Sequence, residues 1–335
     1  MLRAMDSAVA GLRAHQSKLD VIGHNIANVN TYGYKSQNYS FAEAMYQTSS
    51  SSTGGSATAG GVNAAQYGYG SLTGSITMDM TASTPTYVGG FNATISGEGF
   101  FITSAAKKDG ATALSPQDVK QDGDIDYSRV GQFKIDSKGY MVDSNGNFIY
   151  GFRPTNDLLN PGENFDKQKL VPLRVPVDIT LAGAAGNMTA TGNWADQDTS
   201  IVLTDIKINT YGEVTGTIKE VKDANGAAIP DDPRAGKVIT LGKVAIATFQ
   251  NPEGLTKSGS YYYKASESDN TGILSVDIPG ATATASLMAG YLEASNVDLA
   301  KEFSDMITTQ RGFQANTKMI TVSDEVLNEL VNMKR

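Results

Sequence analysis

The chain has 335 residues, enough for two or three domains, and a net charge of −8. That balance argues against nonspecific binding to nucleic acid or anionic membrane, since both need clustered Lys and Arg. There is no cysteine, and His15 and His24 are the only histidines, so disulfides and thiolate chemistry are excluded and histidine-centred catalysis has almost nothing to work with.

Met1 to Asp6 carry both signs of charge and lead into no apolar run of signal-peptide or bilayer-spanning length. Neither a cleaved leader nor a membrane span is expected. Residues 1–28 predict an amphipathic helix, with Met5, Leu12, Leu19 and Ile26 seven apart and Val9 in an offset series. Sustained spacing of this kind is the signature of helix pairing. The helix runs into NIANVNTYGYKS, Asn25 to Ser36. Asn28 and Asn30 tolerate a turned backbone and Gly33 permits positive φ, so the helix is expected to end there. Thr31, Tyr34 and Lys35 complete a candidate boundary motif, with Tyr32 beside it.

Residues 29–71 predict an extended linker, because SSSSTGGSATAGG, between Thr48 and Gly61, is too small and polar to form a core. From Leu72 the period changes to two. Residues 72–154 and 235–291 predict an inner β-domain. Its clearest part is a meander over Tyr127 to Phe152, with Asn145-Gly146 as a hairpin turn. A second β-rich block spans Lys243 to Ala265. Residues 155–234 are more weakly patterned, rich in turn signals, and predict a small outer β-domain inserted in the inner one.

Residues 292–335 close the chain with a second helix. Leu292, Leu299, Met306, Phe313, Ile320 and Leu327 recur every seven residues, and Phe303 opens a partner series. Ser295 with Asp298 is a candidate capping pair. The expected fold is mainly β with long terminal α-helices, which pair as a coiled coil below nested, discontinuous β-domains.

Little of the sequence points to chemistry. DGDIDYS, Asp122 to Ser128, has alternate carboxylates, but a calcium loop counted from Asp122 would need Gly and Glu where Tyr127 and Phe133 stand. A solvated turn is the better expectation. SGEGFF, Ser96 to Phe101, lacks phosphate-loop spacing and is expected to be a turn. Asn38, Asn92 and Asn187 open N-x-S/T triplets that carry no weight, and the single Trp194 is expected to be structural. No catalytic, cofactor-binding or metal-binding residue is assigned, and an enzyme is not expected.

The terminal motifs are specific enough to carry a resemblance. ANVNTYGYKS after an N-terminal helix resembles bacterial flagellar axial proteins, the rod and hook family. LEASNVDLAKEFSDMITTQRGFQANTKMI, Leu292 to Ile320, is similar to that family's C-terminal helix, and VSDEVLNELVNM to its finish. ISGEGFF, the Tyr127 meander and ATFQNPEGL resemble its shared β-domain. The likeness covers about two-thirds of the chain. YSRVGQFKID and LVPLRVP, Leu170 to Pro176, are similar to the hook branch.

The resemblance implies a structural subunit that self-assembles into the tubular, flexible hook and acts in motility. A straight distal-rod shaft is the alternative, and a secreted β-rich enzyme a more distant one. It implies no cofactor, many copies of the same chain in a helical tube, and rod subunits, a hook cap, a hook–filament junction protein and the type III export apparatus as partners. It places the protein outside the cell, in the flagellar basal body and hook, exported without a cleaved leader. Met5, Val9, Leu12, Leu19, Ile26, Leu299, Phe303, Met306, Phe313, Ile320 and Leu327 would pack the inner tube. Phe41 and Met45 match a candidate export-gate motif, an aromatic followed four residues later by an apolar side chain.

Overall fold

The computed structural model describes residues 2–55, 60–108, 114–154, 165–174, 179–182, 187–190, 201–221, 235–280 and 285–333. Trp194 and Pro176 lie outside them. The chain divides into two compact units. The fold is mainly β with two helices, α1 (Leu2–Ala27) and α2 (Leu299–Met333).

The first unit comprises residues 1–30, 35–79 and 296–335. Its helices run antiparallel, because Asn25 meets Glu302, His15 meets Gly312 and Gly11 meets Asn316. Asp298 starts α2: its carboxylate accepts the backbone N–H groups of Ala300 and Lys301 at 2.9 and 3.3 Å, which satisfies two of the donors a helix start leaves open. Asp298 is thus the member of the expected Ser295–Asp298 pair whose capping bonds are seen. The Ser295 carbonyl accepts the Ser83 hydroxyl.

Residues 37–50 and 65–78, within and beside the expected linker, are extended but paired. Gln37–Glu43 pairs with Ser71–Met78, and Tyr46–Ser50 with Ala65–Gly68, both antiparallel. Gln37–Glu43 and Ser71–Met78 also pack on α1. Gly70 makes that approach close: its φ is +104°, and a Cβ there would stand 2.9 Å from the Ser7 carbonyl oxygen.

The second unit comprises residues 31–34 and 80–295. A thirteen-stranded antiparallel sheet dominates it, with Phe100–Ser104 between Phe148–Phe152 and Ile125–Ser128. The meander is present as Ile125–Ser128, Phe133–Ile135, Met141–Asp143 and Phe148–Phe152. At the Asn145-Gly146 turn, Gly146 has φ +87°, and the Asp143 carboxylate accepts the N–H groups of Asn145 and Asn147, each at 2.9 Å. The core joins Phe101, Phe133, Ile149 and Ile246.

The hairpin Ile201–Ile208 and Glu213–Val221 falls in the stretch expected to form a small outer β-domain inserted in the inner one. Its second strand pairs with Val238–Val244 and lies in the same sheet. Ile208, Val214 and Ile218 join the same core cluster. The weak patterning of that stretch hid three apolar residues that bury against a strand distant in sequence.

Candidate functional site

Among the described residues no constellation of reacting groups stands out, and the distinctive features are surfaces and the segments where the chain passes between units. Among the described residues, no three His, Asp or Glu side chains converge as metal ligands would. The DGDIDYS carboxylates are occupied by lysines: Lys108 pairs with Asp122 and Asp124, and Lys264 lies 3.9 Å from Asp126. Burial pushes the Asp126 carboxyl above its usual range, while Asp122 is held below it by hydrogen bonds from Lys108 and the Asp124 backbone and by the Lys108 charge, which together outweigh the opposing effect of burial. Such groups tie loops together.

The helix pair distributes its side chains unusually. On α1 the buried positions are Ala8, Gly11, Ala14, Val21, Ile22 and Asn25. On α2 they are Glu302, Thr309 and Ser323. Apart from Val21 and Ile22, the buried positions are small or polar, and two glycines allow the backbones to approach. A Cβ on Gly312 would stand 2.6 Å from His15 Cε1, and one on Gly11 3.0 Å from Asn316 Nδ2.

The predicted packing residues flank this seam. Met5, Leu12, Leu19, Ile26, Met306, Phe313, Ile320 and Leu327 are half-buried, whereas Val9, Leu299 and Phe303 are exposed. Further along α2, Ile307, Met319, Val322, Val326, Leu330, Val331 and Met333 are exposed as well. No helix among the described residues is long and apolar enough to cross a membrane.

Two seam groups are titratable. Burial, then the Lys18 charge, lowers the His15 pKa, and the His15 Nδ1 is buried with no hydrogen-bond partner among the described residues. Burial raises the Glu302 pKa against the opposing hydrogen bond from Asn25. The Asn25 amide also donates to the Gln37 carbonyl and accepts the Gln37 N–H, each at 2.9 Å. A single side chain thus completes a strand-like pair and holds a buried carboxylate.

The boundary motif divides between the units. In the first, the Asn28 amide donates to the His24 carbonyl at 2.9 Å and closes α1. Lys35 is fully buried. Asn296 accepts the Ser36 N–H at 2.7 Å and donates to the Asp79 carbonyl at 2.9 Å, and the Asp79 N–H returns to the Ser36 carbonyl. One asparagine thus ties together three separate passages of the chain.

In the second unit Glu293 has the corresponding role. Its carbonyl accepts the Gly33 N–H at 2.8 Å, and its carboxylate accepts the Ser83 N–H at 3.0 Å. The same carboxylate pairs with Arg129 at 3.0 Å, both side chains being buried. Arg129 also donates to the carbonyls of Gly99 and Gly97, so this buried charge is both paired and hydrogen-bonded. Gly33 has φ +67°, and a Cβ there would stand 2.6 Å from Val130 Cγ2. Tyr34 is buried under the Lys257 ammonium, 4.3 Å from its ring, while Thr31 and Tyr32 are exposed.

Sequence reasoning missed Asn25, Asn296, Glu293 and Arg129, whose roles depend on partners far away in the chain. The glycines in the middle of both helices were the available signal for close approach. The export-gate candidates lie apart in environment: Phe41 packs against the rings of His15 and Tyr39 and under Lys18, and Met45 is 81% exposed.

Residues 5–35 match the family described as flagella basal body rod protein, and residues 288–333 the one described as flagellar basal body rod FlgEFG protein C-terminal. The chain is 34% identical over 337 positions to the flagellar basal-body rod protein FlgG of Bacillus subtilis, covering all of both chains. It is 27% identical over 465 positions to the flagellar hook protein FlgE of Borreliella burgdorferi, again covering all of both. It is also 27% identical over 435 positions to the FlgE hook protein of Escherichia coli, covering 99% of this chain and 100% of that one.

Proposed function

The chain belongs to the flagellar rod and hook protein family, and from that premise we propose that it is the subunit of a flexible flagellar hook. Members of this family are structural proteins, not enzymes, and the chain is accordingly a structural subunit of the flagellar axis. In the proposed assembly α1 and α2 pair as a coiled coil in an inner tube of many copies, and the β-rich parts form outer layers. Export proceeds through the type III apparatus, with rod subunits, cap and junction protein as neighbours. The Asn28–Lys35 motif marks the boundary between layers.

One observation carries the polymeric reading. On α2 the helix pair buries only Glu302, Thr309 and Ser323, and it leaves Leu299, Phe303, Ile307, Met319, Val322, Val326, Leu330, Val331 and Met333 exposed. Burying an exposed apolar side chain is worth about 1.5–3 kcal/mol. A face with this many such side chains is stabilised by neighbours. Contacts between unlike surfaces that do not close into a ring propagate as a helical filament. The hook reading is supported by hook proteins that align with nearly the whole chain.

A straight distal-rod subunit is the second reading, favoured by the full-length likeness to a rod protein. Electron microscopy of filaments grown from the purified protein separates them. Curved, bendable tubes are expected of a hook; uniformly straight, rigid shafts would transfer the assignment to the rod.

A further inference from the structure

Within the first unit, α1 and the strand Ser71–Met78 enclose a groove of about 520 Å³. Its lining includes Val9, Ala10, Ala14 and Leu72, with Asp6 and Arg13 along it. Val9 and Leu72 are exposed, and the alanines leave room for larger side chains. On α2, Met319, Val322, Val326, Leu330 and Met333 are spaced by three and four residues and all exposed. That spacing makes one ridge.

We infer that this α2 ridge of one copy seats in the α1 groove of a second copy. The inference rests on the homopolymer reading above and names the two surfaces that meet. Charge favours the match. From Met319 to Met333 α2 carries Asp324, Glu325 and Glu329 with no lysine or arginine, whereas α1 carries Arg3, Arg13 and Lys18 against Asp6 and Asp20. Beyond its first residues the ridge does not reach the groove within its own copy. The antiparallel register that sets Gly11 opposite Asn316 brings residue 318 level with Val9. Leu330 is then about 18 Å further along the helix. Groove and ridge are different surfaces, so each copy offers both and the contact propagates head to tail.

The absence of native cysteine makes a clean test. Copies carrying Val9→Cys and copies carrying Leu330→Cys are copolymerised with excess parent chain, and the filaments are oxidised. A disulfide requires Cα atoms within about 7 Å. Covalent heterodimers are expected from the mixture, and not when Ile307→Cys, off the ridge, replaces Leu330→Cys. Filaments that form normally yet give no Val9–Leu330 dimer, or as much with Ile307, would overturn the pairing and leave the homopolymer intact. A parent chain that forms no filaments would sink both. As a second readout, Arg13→Glu should raise the critical concentration for assembly about two- to fivefold, the scale of one exposed ion pair, and Glu329→Arg should restore it. An unchanged critical concentration would count against the docking.

Discussion

Gly33 shows how one residue can serve a boundary. Its positive φ and the Val130 methyl 2.6 Å from a would-be Cβ leave no room for a side chain. Gly33→Val is expected to cost about 1–3 kcal/mol of strain, read as a lower urea midpoint for the β-rich unit together with fewer filaments. An unchanged midpoint would show that the turn adapts. His15 gives a pH-dependent counterpart. Its pKa in the paired helices lies below the ordinary 6.5, so the separated helices bind the proton more readily. Pairing should weaken as pH falls through 6.5 toward that lowered value, and then level off. Glu302 acts in the opposite direction: its pKa is raised above 4.5, so pairing gains as pH falls from the raised value to 4.5. Far-UV circular dichroism melts of the helices should lose stability as pH falls from neutral through 6.5. His15→Gln should abolish that loss and leave only the Glu302 gain at lower pH. A parent melt indifferent to pH in this window would contradict the placement of His15.

At the scale of elements, the helix pair depends on close approach. Alanine favours a helix over glycine by about 1 kcal/mol, so on propensity alone Gly312→Ala would stabilise α2. The expectation is the reverse, because the new Cβ would meet His15 at 2.6 Å. Gly312→Ala should lower the helix melting temperature and reduce assembly, and His15→Ala in the same chain should restore both. A stabilised single variant would show that the seam has slack. The same seam marks what sequence could and could not reveal. The sevenfold recurrence of Met306, Phe313, Ile320 and Leu327 located the helix, but the buried face is one of Glu302, Thr309 and Ser323. An apolar stripe shows that a face will be covered, not whether the cover is its own chain or another copy. The Asn145-Gly146 turn was legible because its chemistry is local. The pairing of residues 37–50 with 65–78 was not, since Ser, Thr and Gly read locally as a connection and only a distant partner makes them a ladder.

For the whole molecule, a helix at each end of a β-rich chain was visible from the change of period along the sequence. The ties at the passages between units were not. Asn296 and Glu293 each hold segments separated by more than two hundred residues, and nothing local marks such partners. The central claim is that the terminal helices build the polymer while the β-rich unit folds on its own core. Removing residues 296–335 takes away α2 with the Asn296 tie and leaves residues 80–295 whole. Electron microscopy of the purified truncated chain beside the parent tests the claim directly. The account predicts tubes from the parent and none from the truncated chain, whose β-sheet circular dichroism persists; normal filaments without α2 would contradict it.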